Sequence, residues 1–234
     1  MADHASELFL GTTVLFVSIV AVVAILFVLA FGSHQTRPWW RRPQTWALCL
    51  WLLAGGALGA SGLVGRFETG LPSLPLVLAG SSLATACLVF SPWGARLLHL
   101  VPWVVGLQAF RVPVEIVLYL LHLDGRIPVQ MTFEGYNFDV LSGLFALGLF
   151  LKYRTGPMPK AALWLWNLVG LALLVNIVTI AVLSAPLPIR MFHNEPANTL
   201  VAFFPYIWLP TFLVQAAFGG HLLVFRYLLG RHPS

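Results

Sequence analysis

Long apolar runs separated by short polar stretches make up most of this chain. Seven runs have the character of membrane helices, at residues 8–31, 44–64, 71–90, 97–122, 138–153, 161–183 and 198–229. A helix needs about 20 mostly apolar residues to cross the hydrocarbon of a bilayer. The pattern therefore predicts an all-α integral membrane protein, in which residues 1–234 form a single domain of seven transmembrane helices. The lipid bilayer is its expected partner.

The composition agrees with this class. Hydrophobic residues make up 59% of the 234 residues and charged residues only 9%, a balance that soluble domains do not have. The net charge is +5, but the basic residues lie in short loops and no nucleic-acid-binding motif accompanies them. Nucleic acid is therefore not an expected partner. Cys49 and Cys87 both fall inside apolar runs, where they read as small buried side chains and not as a disulfide framework.

The distribution of basic residues between alternate loops predicts the orientation. The loops on one side carry Arg37, Arg41, Arg42, Arg96, Lys152, Arg154, Lys160, Arg226 and Arg231. The loops on the other side carry only Arg66, Arg126 and Arg190. Because basic loops stay in the cytoplasm, we expect an outside N-terminus and a cytoplasmic C-terminus. The expected location is a bacterial inner (plasma) membrane.

One predicted helix, at residues 97–122, carries a line of polar residues through its apolar sequence. Gln108, Arg111, Glu115, Tyr119 and His122 follow one another at spacings of three, four, four and three. These spacings place all five on one face of a helix. A charged side chain inside a membrane helix costs roughly 2.5–3.5 kcal/mol, so it normally faces a protein interior or a water-filled cavity.

The two charged members of this line stand one helical turn apart. Arg111 and Glu115 occupy positions i and i+4, where they can pair with each other. Pro113 lies between them and has no N–H to donate to the carbonyl of Ala109. The sequence therefore predicts a kink beside the pair.

Three residues from other helices are expected to complete a pocket that opens to the outside. Asp139, at the start of the short fifth helix, is expected at the outer boundary of the hydrocarbon, near the outer end of the fourth helix. Asn176 lies in the outer half of the sixth helix, and Tyr206 lies in the outer half of the seventh. The predicted ligand-binding set is Gln108, Arg111, Glu115, Tyr119, His122, Asp139, Asn176 and Tyr206. Asn167 and His221 are placed nearer the inside and are not assigned to the pocket.

The loop before Asp139 is expected to cover the outer mouth of the pocket. Residues 129–133 and 136–140, with Glu134 and Gly135 between them, read as a short β-hairpin. Fifteen residues could equally form an irregular loop. In either form the segment is expected to lie outside the hydrocarbon, as a lid.

Three functions of different classes fit this pattern. The first is binding or passage of a small polar or anionic molecule, as in a transporter or receptor, with Arg111 as its charge partner. The second is an enzyme acting at the outer leaflet, with Glu115 or His122 as general base. The third is a structural membrane subunit, in which the Arg111–Glu115 pair only fixes helix packing. A cavity at Arg111 favours the first two functions, and a dry pair favours the third.

No cofactor or metal is predicted. A retinal protein needs a lysine deep in the last helix, but Lys152 and Lys160 are the only lysines and flank another loop. Nucleotide-binding and hydrolase motifs are absent, and the histidines are not paired one turn apart within a helix. The patterns His122-x-Asp124 and His193-x-Glu195 resemble short metal-ligand spacings, but such residues are more often ordinary loop side chains.

Overall fold

The computed structural model describes residues 2–32, 38–69 and 72–230, and within these ranges the chain forms helices, turns and loops without a β-strand. Its α-helices are α1 (Ala2–Gly32), α2 (Pro43–Ala60), α3 (Ser73–Phe90), α4 (Pro92–Ala95), α5 (Val101–Leu107), α6 (Arg111–Leu123), α7 (Asp139–Tyr153), α8 (Lys160–Leu183) and α9 (Val214–Leu229). Short 3-10 turns precede α5 at Leu98–Leu100 and join α5 to α6 at Gln108–Phe110. A five-residue π-helical turn at Leu209–Leu213 leads directly into α9.

Five helical stretches are long and apolar enough to cross a membrane. They are Ser6–Ala30, Ser73–Phe90, Leu98–Leu123, Lys160–Leu183 and Leu209–Leu229. These stretches indicate a multi-pass integral membrane protein. Three residues used in the sequence-based assignment, Arg37, Leu71 and Arg231, lie outside the described residues.

Two predicted helices are shorter than expected, the second because it ends earlier and the seventh because it begins later. The second ends at Ala60, and the turn after it contains Gly62 with φ +67°, a left-handed conformation that glycine adopts without strain. The seventh was expected from residue 198, but continuous helix begins only at Leu209. Pro205 and Pro210 lack the N–H groups that a regular helix would need here.

The π-helical turn leaves backbone carbonyls that side chains satisfy. Gln215 Nε2 donates to the carbonyl of Pro210 at 3.0 Å, and Trp51 Nε1 of α2 donates to the carbonyl of Thr211 at 2.8 Å. In the reverse direction, Trp208 Nε1 donates to the carbonyl of Leu52 at 2.8 Å. These bonds fasten α2 to the irregular start of α9, and such π segments are frequent at functional sites.

The helix that carries the polar line departs from α geometry near Pro113. The 3-10 turn Gln108–Phe110 contains Ala109, whose carbonyl cannot receive an N–H from Pro113. The irregularity therefore lies where the sequence predicts a kink, immediately before Arg111.

The segment between α6 and α7 differs from the predicted hairpin. Residues 124–138 form turns and the 3-10 turn Val129–Met131, with no strand pairing. Ile127, Met131 and Asn137 are almost fully buried, which an external lid would not require. Arg111 lies about 18 Å before the end of α6 at 1.5 Å per residue. Because Asp139 contacts Arg111, the segment returns by a similar distance into the bundle.

Two helices lie at the centre of the packing. α9 packs against α3, α5 and α8, and α7 packs against α5, α6 and α8. α1 packs along α6 through one face that includes Phe16 and Val20, whereas side chains such as Leu10 and Ile25 on its other faces are exposed. This one-sided burial is what a peripheral helix facing lipid would show.

The two ends of the bundle differ in character. The long-loop end holds residues 61–69, 124–138 and 184–199, and one apolar cluster lies there: Val64, Leu74, Ala185, Leu187, Val201, Ala202 and Ile207. The lysine end is marked by Lys152 and Lys160. A second apolar cluster fills that half: Val101, Val105, Ala146, Leu149, Leu163, Trp166 and Val224. The polar groups described next lie between these two clusters.

Candidate functional site: a buried ionic network beside a cavity

Arg111 forms an ion pair with Asp139 in the interior of the bundle. Its Nε donates to Asp139 Oδ2 at 2.6 Å, and its Nη2 stands 2.5 Å from Asp139 Oδ1. Only 2% of Arg111 and 6% of Asp139 is exposed. The sequence suggested Glu115 as the partner of Arg111, and this prediction is wrong. Asp139 takes that place because the preceding segment descends into the bundle and starts α7 beside Arg111.

The remaining N–H groups of Arg111 are also occupied. Nη1 donates to Ser142 Oγ at 2.6 Å and contacts His221 Nε2 at 3.0 Å, and Nη2 donates to the carbonyl of Gly170 at 3.3 Å. With the bond from Nε to Asp139, all three guanidinium nitrogens donate to protein acceptors, and the ion-pair contact with Asp139 Oδ1 adds to these hydrogen bonds. Arg111 therefore joins α6, α7, α8 and α9 in one closed network.

The geometry around His221 fixes its tautomer. Arg111 Nη1 can only donate, so His221 Nε2 must accept and cannot carry a proton. The proton of the neutral imidazole then sits on Nδ1, which donates to Asn167 Oδ1 at 2.9 Å. The ring also stacks on Trp166, with 4.7 Å between centroids. His221 is thus a neutral acceptor that extends the network toward the lysine end.

Glu115 is buried without a cationic partner within 4 Å in the described part of the chain. Asn137 Nδ2 lies 2.8 Å from Oε1, 2.7 Å from Oε2 and 3.0 Å from the carbonyl of Met131. The same amide accepts from the backbone N–H of Asp139 through its Oδ1, at 3.1 Å. Asn137 therefore connects Glu115 to the first residue of α7.

The structure brings only part of the predicted pocket together. Arg111, Glu115 and Asp139 are neighbours. Gln108 is fully buried, donates from Nε2 to the carbonyl of Ala216 at 3.3 Å, and has no hydrogen-bond partner for Oε1 within the described residues.

Tyr119 and His122 hold the 124–138 segment instead of lining the pocket. Tyr119 stacks on Phe133 with 4.7 Å between ring centroids, and His122 Nδ1 contacts the carbonyl of Ile127 at 3.2 Å.

Asn176 and Tyr206 were also assigned to the pocket, and they too make structural contacts elsewhere. The exposed Asn176 donates from Nδ2 to the carbonyl of Tyr136 at 2.7 Å. The Tyr206 hydroxyl lies 2.8 Å from Thr13 Oγ1 and so ties α1 to the segment before α9.

A cavity of about 80 Å³ lies beside the network, toward the long-loop end. Its polar lining groups are Arg111, Glu115, Asp139 and Asn198. The apolar walls come from α3 (Leu74, Leu78), from α6 and the residue before it (Phe110, Val114, Leu118), from the descending segment (Met131), from α8 (Leu174, Ile177, Val178, Ala181, Val182), from Val201, and from the π turn and α9 (Leu209, Pro210, Leu213, Val214, Ala217). The cavity is thus mainly apolar, with a group of ionisable side chains at one end.

Glycines allow the helices to approach the network. A Cβ at Gly170 would stand 2.5 Å from Ser142 Oγ and 2.6 Å from His221 Cε1, and a Cβ at Gly143 would stand 3.2 Å from Arg111 Cβ. A side chain at Gly220 would collide with Gln108 Nε2. Small residues at these positions let polar groups from four helices reach one another.

Several residues of the network were missed or misplaced by sequence reasoning. Asn137 and Ser142 gave no signal, because a serine in an apolar helix and an asparagine in a loop are both common. Asn167 and His221 were noticed but placed too near one end of the bundle. Their positions along the helices could have revealed the contact. Asn167 lies seven residues after the start of α8 and His221 eight residues before the end of α9, so both lie at a similar depth from the lysine end and can meet.

The short metal-like patterns do not assemble in the structure. In the ranges that are described, no three His, Cys, Asp or Glu side chains come close enough to hold a metal ion. Glu195 is exposed and accepts from Arg190 at 3.0 Å and from the backbone N–H of Ala197 at 2.7 Å. These hydrogen bonds, that from Arg190 above all, hold the pKa of Glu195 below its usual value.

The fold and the network together define a multi-pass membrane protein with a buried ionic centre. A family model described as "Domain of unknown function (DUF8737)" matches residues 71–229, more than half of the chain. The chain therefore belongs to this family. The matched range comprises α3 to α9 and contains the network and every residue that lines the cavity. No curated protein and no solved structure matches the chain.

Proposed function

We propose that this protein binds a small molecule in the cavity between α3, α6, α8 and α9, as a transporter or receptor does. The observation that carries the proposal is a chamber lined by charged groups within a membrane bundle. One water molecule needs about 10–15 Å³ of such space, so the cavity can hold considerably more than a single water. Ionisable residues inside a membrane protein commonly mark a substrate or ion pathway.

The surroundings of Arg111 bear on the kind of ligand. The sequence favoured a polar or anionic molecule with Arg111 as its charge partner. All three guanidinium nitrogens already donate to protein acceptors, so an anion would have to displace Asp139, Ser142 or His221. The cavity walls are almost entirely apolar. Both features support a ligand with a substantial apolar part, held by a small polar group.

We further propose seven membrane crossings. α2 and α7 would add to the five long apolar stretches, with the buried segment before α7 completing the passage of that short helix. The excess of basic residues supports a cytoplasmic lysine end and C-terminus, an outer long-loop end and N-terminus, and residence in a bacterial inner membrane. In this arrangement the 124–138 segment is a plug within the outer half of the bundle, in place of the external lid.

A structural subunit is the second candidate, and one observation favours it. The Arg111 network is closed and joins four helices, which is what an internal fastening would require. The enzyme alternative has less support, since His122 contacts the carbonyl of Ile127 and Glu115 contacts Asn137. The cavity distinguishes the first two candidates, because a purely structural role does not need one.

A matched pair of substitutions on α8 tests the ligand cavity. Val178 lines the cavity, whereas Val175 is 57% exposed on the outside of the helix. The probes are octylamine, 1-octanol and octanoate, added to the protein in phosphatidylcholine nanodiscs, and the readout is the thermal unfolding temperature. We expect at least one probe to raise it for wild type and Val175→Phe but not for Val178→Phe.

Two outcomes of this test would contradict the ligand cavity. In one, none of the three probes protects the wild-type protein. In the other, Val178→Phe is protected as strongly as Val175→Phe, so that protection arises outside the cavity. Either result would leave the structural subunit as the better account of the network.

A further inference from the structure

We propose that the ligand is a lipophilic amine, which enters from the bilayer between α3 and α8 and places its protonated amine head at Glu115. The inference rests on the proposed ligand cavity and adds the chemical class of the ligand and its route. It follows from three independent features: the charge balance of the buried groups, their free hydrogen-bonding capacity, and the position of the cavity opening.

The buried groups around the cavity carry more acid than base. Arg111 is balanced by Asp139, with which it makes two close contacts. His221 is neutral, because its Nε2 accepts from Arg111. Glu115 is left without a cation of its own, and a carboxylate buried in a membrane protein is costly unless it is paired. A ligand that brings a positive charge to Glu115 would complete the balance.

The hydrogen-bonding capacity of Glu115 is only partly used by the protein. The amide of Asn137 has two hydrogens to divide among both carboxylate oxygens and the carbonyl of Met131. A carboxylate offers about four lone-pair sites, so at least two remain for a ligand. Asn137 thus holds the carboxylate in place while leaving it able to accept more.

A second polar group in the cavity also lacks a donor. Asn198 is fully buried, and its Nδ2 donates to the carbonyl of Ala181 at 2.9 Å. A carbonyl can only accept, so this contact fixes the amide orientation and identifies the other atom as oxygen. That Oδ1 has no hydrogen-bond partner in the described residues. Asp139 Oδ1, which also lines the cavity, likewise has no hydrogen-bond partner among the described residues. The spare capacity of Glu115, Asn198 and Asp139 is therefore capacity to accept, which favours a donor-rich head over an anion.

The cavity is closed at both ends of the bundle and open at its flank. Leu74 and Val201 belong both to its lining and to the apolar cluster that fills the long-loop end. The opposite end is closed by the Arg111 network and, through Trp166, by the cluster at the lysine end.

The side chains of the cavity wall formed by α3 and α8 are less completely buried than those of the other walls. Four of the five α8 residues in the lining and one of the two from α3 are half-buried. On the opposite walls only two of the five from the π turn and α9, and one of the three apolar residues from α6 and the residue before it, are half-buried. Both α3 and α8 are long enough to cross a membrane. The gap between them therefore faces hydrocarbon, and a ligand entering by it must itself be soluble in the bilayer.

The experiment compares three eight-carbon probes that differ only in the head group. Octylamine, 1-octanol and octanoate are titrated against the protein in phosphatidylcholine nanodiscs at pH 7, and apparent affinities are taken from the shift in unfolding temperature. We expect octylamine to bind at least tenfold more tightly than octanoate, with 1-octanol between them. Glu115→Gln should reduce the amine preference to less than threefold.

The matched control is Glu134→Gln, which removes the same charge from an exposed carboxyl group outside the cavity lining. It should keep the full amine preference. An equal loss in Glu134→Gln and Glu115→Gln would assign the preference to general surface charge and overturn the proposal. So would tighter binding of octanoate than of octylamine to the wild type.

A change of lipid distinguishes a free lipophilic amine from the amine head group of a membrane lipid. Phosphatidylethanolamine carries an amine but also a phosphate and two chains, and we expect it to leave the octylamine affinity within twofold of that in phosphatidylcholine. Strong competition by this lipid would overturn the assignment of a simple lipophilic amine. Protection by all three probes without a head-group preference would refute the amine class while leaving the ligand cavity intact. No protection by any probe would refute both.

Discussion

Arg111 and Glu115 lie one turn apart on α6, yet their surroundings are opposite in kind. Arg111 touches groups from three other helices, and all three of its guanidinium nitrogens donate to acceptors there. Glu115 has the shared amide of Asn137 and borders the cavity. Equal burial therefore does not mean equal role: both residues are only 2% exposed.

The difference assigns a structural role to Arg111 and a ligand-binding role to Glu115. A saturated charge gains nothing further from a ligand, because any new contact must replace an existing one. A buried acceptor with spare capacity gains from every suitable donor. The closed region around Arg111 should thus dominate stability, and the open region around Glu115 should dominate ligand preference.

Removing Arg111 should have the largest effect on stability. Arg111→Met leaves Asp139 buried without its cation, and loss of one partner of such a pair costs about 3–5 kcal/mol. The double variant Arg111→Met with Asp139→Leu removes both charges and should recover most of that loss. Unfolding of the three proteins in the same nanodiscs measures the two differences. A single variant as stable as wild type would show that the network does not fasten the bundle.

Crowding the network should cost less. A methyl group at Gly170 would press on Ser142 and His221, and overpacking of this kind costs about 1–3 kcal/mol. Gly148 of α7 is the control, since a Cβ there meets no atom within 4 Å. Gly148→Ala should be neutral, or stabilise by up to about 1 kcal/mol through helix propensity. Equal stability of the two alanine variants would mean that the closed region can rearrange freely.

Neutralising Glu115 should change stability least. In Glu115→Gln the new amide oxygen can still accept from Asn137, so we expect a change within about 1 kcal/mol. The same unfolding measurement applies, with Arg111→Met as the reference for a large effect. A loss as large as that of Arg111→Met would show that Glu115 belongs to the closed network and would remove the contrast between the two regions.

The sequence located the centre of the molecule but paired its charges incorrectly. The spacing of Gln108, Arg111 and Glu115 predicted a shared buried face, and all three are buried. The i, i+4 rule then favoured Arg111 with Glu115. That rule describes an isolated helix, whereas here Asp139 of another helix pairs with Arg111 at 2.5 Å and Glu115 is not within 4 Å of it. A local pattern has no means of showing that a distant carboxylate can come closer.

The loop before α7 gives the same lesson about backbone. Its turn residues predicted a short hairpin or an irregular loop that lies outside the hydrocarbon as a lid, whereas Ile127, Met131 and Asn137 are buried. The polar side chains of this loop form hydrogen bonds with other parts of the protein. Gln130 donates from Nε2 to Ser184 Oγ at 2.8 Å, and its Oε1 accepts from Asn194 Nδ2 of the loop after α8 at 2.7 Å. Composition reports how polar a segment is, but not whether its polar groups meet water or protein.

The membrane class followed from the sequence by itself, because burial in lipid requires long apolar helices and their length can be counted along the chain. The face of α6 that carries Arg111 and Glu115 was fixed in the same way by helical periodicity. The tertiary structure alone decided which side chains meet: His221 with Asn167, Arg111 with Asp139, and Glu115 with Asn137 beside a cavity. These contacts depend on helix depth, on the descent of one loop and on glycines where helices cross, and none of these is a local property of the chain.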